Sequence, residues 1–150
     1  MRILPATADQ LETLLGMMRD LQADDPWEEP FSEGVLRVNL EKLLREPTLG
    51  LVFVAWDRGE AVGYLVICFD YSLEYRGLGA WVDELFVKTA CRGRGIGSQL
   101  LDLAEVVSRS AGAKVLHLEV NHGNRAKELY RQRGFQEHQR FLMSKRLDEG

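Results

Sequence analysis

Residues 91–101 read Cys-Arg-Gly-Arg-Gly-Ile-Gly-Ser-Gln-Leu-Leu, with three glycines at alternate positions ahead of an apolar run. Each glycine costs about 0.5–1 kcal/mol relative to alanine inside a helix, yet the residues that follow have helical spacing. Backbone amides at a helix start lack intrahelical acceptors and carry the positive end of the dipole, so they hold anions. Bare glycines let an anion approach, and Arg92 and Arg94 add positive charge. The chemistry this suits is the binding of a diphosphate on the amides of Arg92, Gly93, Arg94, Gly95, Ile96, Gly97 and Ser98. A second candidate lies just upstream, where Trp-Val-Asp-Glu-Leu-Phe-Val carries the adjacent carboxylates Asp83 and Glu84. Carboxylates can hold an ammonium group and accept its proton. Successive strand residues point to opposite faces, so only one of the two faces a common site unless a bulge intervenes.

Two well-known phosphate loops do not fit. There is no Gly-Lys-Ser/Thr, and the dinucleotide fingerprint needs glycine where Ser98 stands. What fits is Arg92-x-x-Gly95-x-Gly97 between an apolar strand and an amphipathic helix. A second stretch, Ala126-x-x-Leu129-Tyr130-x-x-x-Gly134-Phe135, and the opening Ile3-x-Pro5-Ala6-Thr7 occur in the same order. With these motifs the chain resembles the GNAT N-acetyltransferase superfamily over nearly its whole length. The resemblance implies acetyl-CoA as co-substrate, no metal, and a homodimer. It places the coenzyme pyrophosphate on residues 92–98 and the pantetheine arm along Asp83 to Lys88, against Leu85, Phe86 and Val87, where the central strands splay. A backbone amide near Leu85 would polarise the thioester carbonyl. Tyr130 would protonate the leaving thiolate as general acid. The family's asparagine three residues before Ala126 is Gly123 here, and Asn121 and Asn124 flank it as candidates for that coenzyme contact.

The acidic dipeptide and the loop after it are most similar to the diamine (spermidine/spermine) acetyltransferase branch, which implies a polyamine or a lysine-like amino acid as acceptor. Asp83 matches that branch's substrate-binding glutamate, and Glu84 its aspartate. Asp25, in the acidic loop Asp24, Asp25, Glu28, Glu29, Glu33, also falls at a matching place. Trp27 and Tyr75 offer apolar or cation–π walls for an alkylammonium, and His117 and Glu119 share a strand face. A primary amine has a pKa near 10.4, so only about one part in a few thousand is the neutral nucleophile at pH 7. The site must therefore bind the cation and then remove a proton. The alternatives are an acetyltransferase of protein N-termini, lysine side chains or aminoglycosides, and a non-catalytic acyl-CoA-binding regulatory module.

The elements that must position these groups follow from periodicity. Arg2–Pro5 reads as a short strand, and a helix starting at Thr7 or Asp9 runs to about Leu21. After the loop punctuated by Pro26 and Pro30, Ser32 opens a helix that stops at Arg45, before Pro47. Residues 51–56 and 61–71 form a hairpin about the turn 57–60. Strand 80–87 leads into a helix from Ile96 that Gly112 ends. Strand 114–120, helix 124–134 and one or two strands in the tail complete an α/β fold with a mixed sheet, in the order β-α-α-β-β-β-α-β-α-β(-β). The chain's 150 residues suit one domain. No apolar run is long enough for a membrane span, and no signal peptide is read at the start. Cys68 and Cys91 have no metal spacing, which suits reduced thiols in a cytoplasmic protein. Residues 1–90 hold 8 Lys and Arg against 16 Asp and Glu, whereas 91–150 hold 11 against 7. An acidic front and a basic back suit one cationic and one anionic ligand. A net charge of −4 without a basic stripe argues against nucleic acid.

Overall fold

Five strands form a single sheet in the order β1-β2-β3-β4-β5. The computed structural model describes residues 1–148. The strands are β1 (Arg2–Pro5), β2 (Gly50–Asp57), β3 (Glu60–Ser72), β4 (Gly77–Val87) and β5 (Val115–Leu118). The helices are α1 (Leu11–Asp24), α2 (Glu33–Arg45), α3 (Ile96–Ser110) and α4 (Ala126–Gln132). Neighbours from β1 to β4 run antiparallel, and β5 joins β4 in parallel after the crossover through α3. The chain divides into two compact units, Met1–Glu119 and the residues from Val120 on.

In the first unit the amphipathic α1 buries Leu14, Leu15, Met17 and Met18 against Val52, Val54, Tyr64, Val66 and Phe86 of the sheet. Leu40 of α2 joins this core, and the ion pairs Arg19–Glu33 and Arg37–Glu12 tie the two helices together outside it. Truncating any one of these fully buried side chains to alanine costs about 2–5 kcal/mol. The other face is covered by α3, whose Ile96, Leu100, Leu101 and Ala104 are buried. In the second unit Asn124 Oδ1 accepts the Ala126 N–H at 2.9 Å, which starts α4. The helix ends at Gln132, and Gly134, with a φ of +91°, then reverses the chain. The Phe135 N–H then returns to the Tyr130 carbonyl, and the two rings meet edge to face at 6.0 Å.

Several boundaries depart from the sequence reading: α1 runs on to Asp24, and α4 spans Ala126–Gln132 within the expected 124–134. The first helix is preceded by a 3-10 turn at Ala8–Gln10, closed by the Thr7–Gln10 capping box, so its α portion starts at Leu11. β4 begins at Gly77, because β3 continues to Ser72 and carries its partner with it. β5 stops at Leu118, where its ladder with β4 ends. The tail strand or strands do not form among the described residues, where Phe135 to Asp148 carry no ladder. Phe141, Leu142, Met143 and Leu147 are more than 70% exposed there. Alternating polarity specifies a strand only when a neighbour supplies the hydrogen bonds.

Candidate active site

β4 is where the parts expected to do chemistry come together. Its ladder with β3 contains one extra residue: Val82 opposes Ile67 and Glu84 opposes Val66, which leaves Asp83 unopposed as a β-bulge. Val82 thus belongs to the α3 face and Glu84 to the α1 face. The Asp83 charge contributes to raising Tyr64 and Cys68, both on the α1 side. The bulge releases the two acids from the opposite-face alternation of a regular strand. On its other edge β4 pairs with β5 only from Gly79↔Val115 to Val82↔Leu118. From Asp83 to Val87 that edge has no strand beside it among the described residues, so the two strands part at the acids.

The two carboxyls differ in surroundings. Asp83 keeps an exposed surface, yet the protein packed around it raises its carboxyl above the usual range. Glu84 is half-buried, and desolvation lifts it from 4.5 to about 7. The Tyr64 hydroxyl, which donates to Glu84 Oε1 at 2.7 Å, opposes that rise, and the neighbouring Asp83 charge adds to it. Tyr64 is itself fully buried, with its ring 5.9 Å from Phe86. Burial first, then the two acids, push the Cys68 thiol up to about 11, so this thiol stays protonated near neutrality.

The loop after β4 has the backbone an anion site needs. Gly93 and Gly95 take φ of +79° and +80°, left-handed values that side chains resist. Gly97 does not; a Cβ there would meet Val87 and Leu85 at 3.8 and 3.9 Å, ordinary contacts. Its bareness is thus demanded by nothing in the protein itself. The first backbone bond of α3 runs from the Gln99 N–H to the Gly95 carbonyl. The amides of Ile96, Gly97 and Ser98 precede it at the positive end of a 15-residue helix. The arginines are anchored rather than loose. Arg92 lies 5.7 Å from the Phe86 ring centroid, donates to the Val87 carbonyl at 2.9 Å, and pairs with Asp24 at 2.6 Å. Arg94 pairs with Asp57 at 2.7 Å.

Asp83 to Val87 and residues 92–98 thus form one continuous stretch from β4 into α3. Asp25 closes α1 through its N–H to Leu21, the Trp27 N–H donates to Gln22 Oε1 in the last turn of α1, and the Trp27 ring lies 6.0 Å from Phe31 in the loop. Tyr130 and Asn124 belong to the second unit, Tyr130 on α4 and Asn124 at its start. His117 lies beside Trp81, and Tyr75 meets His117 edge-on. Sequence reasoning missed Tyr64 and Trp81. Tyr64 lies 20 residues from Glu84, and only the register of two strands joins them; Trp81 stood inside the acidic motif. Among the described residues no group of three or more His, Cys, Asp or Glu is placed to hold a metal, and no helix is long and apolar enough to cross a membrane.

Residues 15–135 match the family model described as the acetyltransferase (GNAT) family. The chain is 37% identical over 90 residues to the aminoalkylphosphonate N-acetyltransferase of Salmonella typhimurium, covering 59% of this chain and 58% of that protein. It is 35% identical over 77 residues to the thialysine N-epsilon-acetyltransferase of Bos taurus, covering 51% and 45%. It therefore spans between 45% and 58% of the length of these curated relatives. An integron cassette protein from the mobile metagenome of Cole Harbour salt marsh superposes with a TM-score of 0.84 at 26% identity, covering 99% of this chain and 91% of that one.

Proposed function

The chain belongs to the acetyltransferase (GNAT) family, and from that premise we propose that its 150 residues act as one N-acetyltransferase domain. The acetyl group comes from acetyl-CoA and goes to a primary amine of a small cationic acceptor. The observation that carries this reading is the bulge at Asp83. It sets two acids side by side where β4 leaves β5, one turn of chain ahead of the bare loop. The loop fits a diphosphate, because Ile96, Gly97 and Ser98 offer amides at the positive end of α3 and the glycines leave room beside them.

The acceptor enters as an ammonium ion, and the exposed Asp83 carboxylate pairs with it. Glu84, poised near 7, then takes the proton, because a base works best when its pKa lies close to the working pH. The freed nitrogen forms its bond to the acetyl carbon as the carbon–sulfur bond breaks. Acetyl-CoA supplies the activated thioester; Tyr130, by its motif, gives its proton to the leaving sulfur, and the second proton released by the new amide nitrogen restores the Tyr130 hydroxyl through water. Direct attack is favoured over a cysteine-bound acyl group because Cys68, the thiol on this face, is held neutral. Two measurements test the reading: calorimetry with acetyl-CoA, and thiol release over a panel of primary amines. Binding with amine-dependent thiol release is expected. No heat at millimolar coenzyme would overturn the loop assignment, and binding without thiol release for any amine would overturn catalysis.

A further inference from the structure

The same face of the sheet carries an aromatic platform beside the acids. Trp81 and His117 oppose each other one rung before the β4–β5 ladder ends, with ring centroids 4.7 Å apart. Tyr75, from the turn between β3 and β4, meets His117 edge-on at 4.8 Å. The indole is fixed from the other side, since Trp81 Nε1 donates to Asp70 Oδ2 at 3.0 Å. Asp70 reaches it because the residue opposite Asp70 is Gly79; a Cβ there would lie 2.2 Å from Asp70 Oδ1. The missing side chain thus makes room for a carboxylate whose hydrogen bond holds the indole in place. All three rings are half-buried. Trp81 opposes Cys68 across the sheet, which puts the indole on the α1 side, and Asp83 stands two residues further along the same strand.

We propose that Trp81, His117 and Tyr75 seat the carbon skeleton of the acceptor, and that the acceptor is a primary amine on an apolar alkyl or arylalkyl body with no anionic group next to the amine. This rests on the transfer reading above and names its substrate class. An amine held at Asp83 has its nearest carbons against Trp81. Indole and phenol faces attract both hydrocarbon and alkylammonium groups. A phosphonate or carboxylate next to the amine would instead meet Asp83 and Glu84, with like charges at close range.

The test is thiol release with phenethylamine, cadaverine, ethylamine and aminoethylphosphonate. The wild type should use phenethylamine and cadaverine at least about tenfold better than ethylamine in kcat/KM, the scale set by a few added carbons in an apolar pocket. Aminoethylphosphonate should be the poorest acceptor. Trp81→Ala should remove that preference mainly through the amine KM, with the acetyl-CoA KM unchanged. Trp81→Phe should restore part of it. Gly79→Ala, which displaces Asp70 from the indole, should reproduce the loss in weaker form and guards against a Trp81→Ala protein that fails to fold. Amine turnover with the ranking unchanged in these variants, an equal loss for every amine, or a preference for aminoethylphosphonate would overturn this inference and leave the transfer reading standing. Acetyl-CoA binding without turnover of any amine would overturn both.

Discussion

Replacing Glu84 by Gln separates what this carboxyl does for the reaction from what it costs the fold. In the folded protein burial raises it from 4.5 to about 7; in the unfolded chain it titrates near the ordinary value. Between those two pH values the folded protein keeps a proton that the unfolded chain has released. Stability therefore falls as pH rises through the window, and the loss is complete above it. At about 1.36 kcal/mol per pKa unit, the full cost is about 3 kcal/mol. Gln carries no charge at any of these pH values, and its Oε1 can still accept from Tyr64. Urea unfolding of both proteins at about pH 5 and about pH 8 reads the difference directly. Near pH 5 the variant should be more stable by less than about 1 kcal/mol, and near pH 8 by up to about 3 kcal/mol. In the same preparations amine-dependent thiol release should fall about a hundredfold or more, the usual contribution of a general base. A stability difference that does not change with pH would refute the burial argument. A more stable variant with undiminished turnover would refute the catalytic one.

Tyr64→Phe removes the hydrogen bond that holds the Glu84 carboxyl down, so the acidic limb of kcat/KM should move to higher pH; a profile that does not move counts against Tyr64 as a positioning residue. Tyr130→Phe should slow thiol release about a hundredfold with the acetyl-CoA KM little changed, measured by steady-state kinetics over both substrates. Gly95→Ala must hold a Cβ at φ +80°, at a cost of about 1–2 kcal/mol. Thermal unfolding should show that loss, and calorimetry should show weaker coenzyme binding.

The parts of the site that were legible in the sequence are those encoded locally. The loop from Cys91 and the helix after it are read from glycine spacing and a 3.6-residue pattern, and α3 starts at Ile96 as expected. The hairpin and the stop of α2 at Arg45 follow from turn residues and a proline. What stayed hidden depends on register between distant segments. The Tyr64–Glu84 bond needs β3 and β4 aligned. The Trp81–His117 contact needs β5 to return through α3 and join in parallel. The expected tail strand or strands do not form among the described residues, because a strand is specified by the neighbour it pairs with as much as by its own residues.

The acidic dipeptide shows how the two kinds of information combine. In a regular strand Asp83 and Glu84 would point apart, one toward the α1 face and one toward the α3 face, and no single amine could meet both. What frees them from that arrangement is not an unusual side chain but a count: β4 has one more residue than β3 across Val66 and Ile67. Shortening β4 by one residue between Val82 and Glu84 would realign the ladder and remove Asp83 with it. Substituting Asp83 alone would keep the geometry and remove only the charge. If the acids act as a pair, the Asp83→Asn protein should fail mainly in amine KM, because Glu84 would still accept the proton but the ammonium would lose its partner. A loss confined to kcat would mean that Asp83, not Glu84, is the base, and that the buried Glu84–Tyr64 pair serves to hold the bulge.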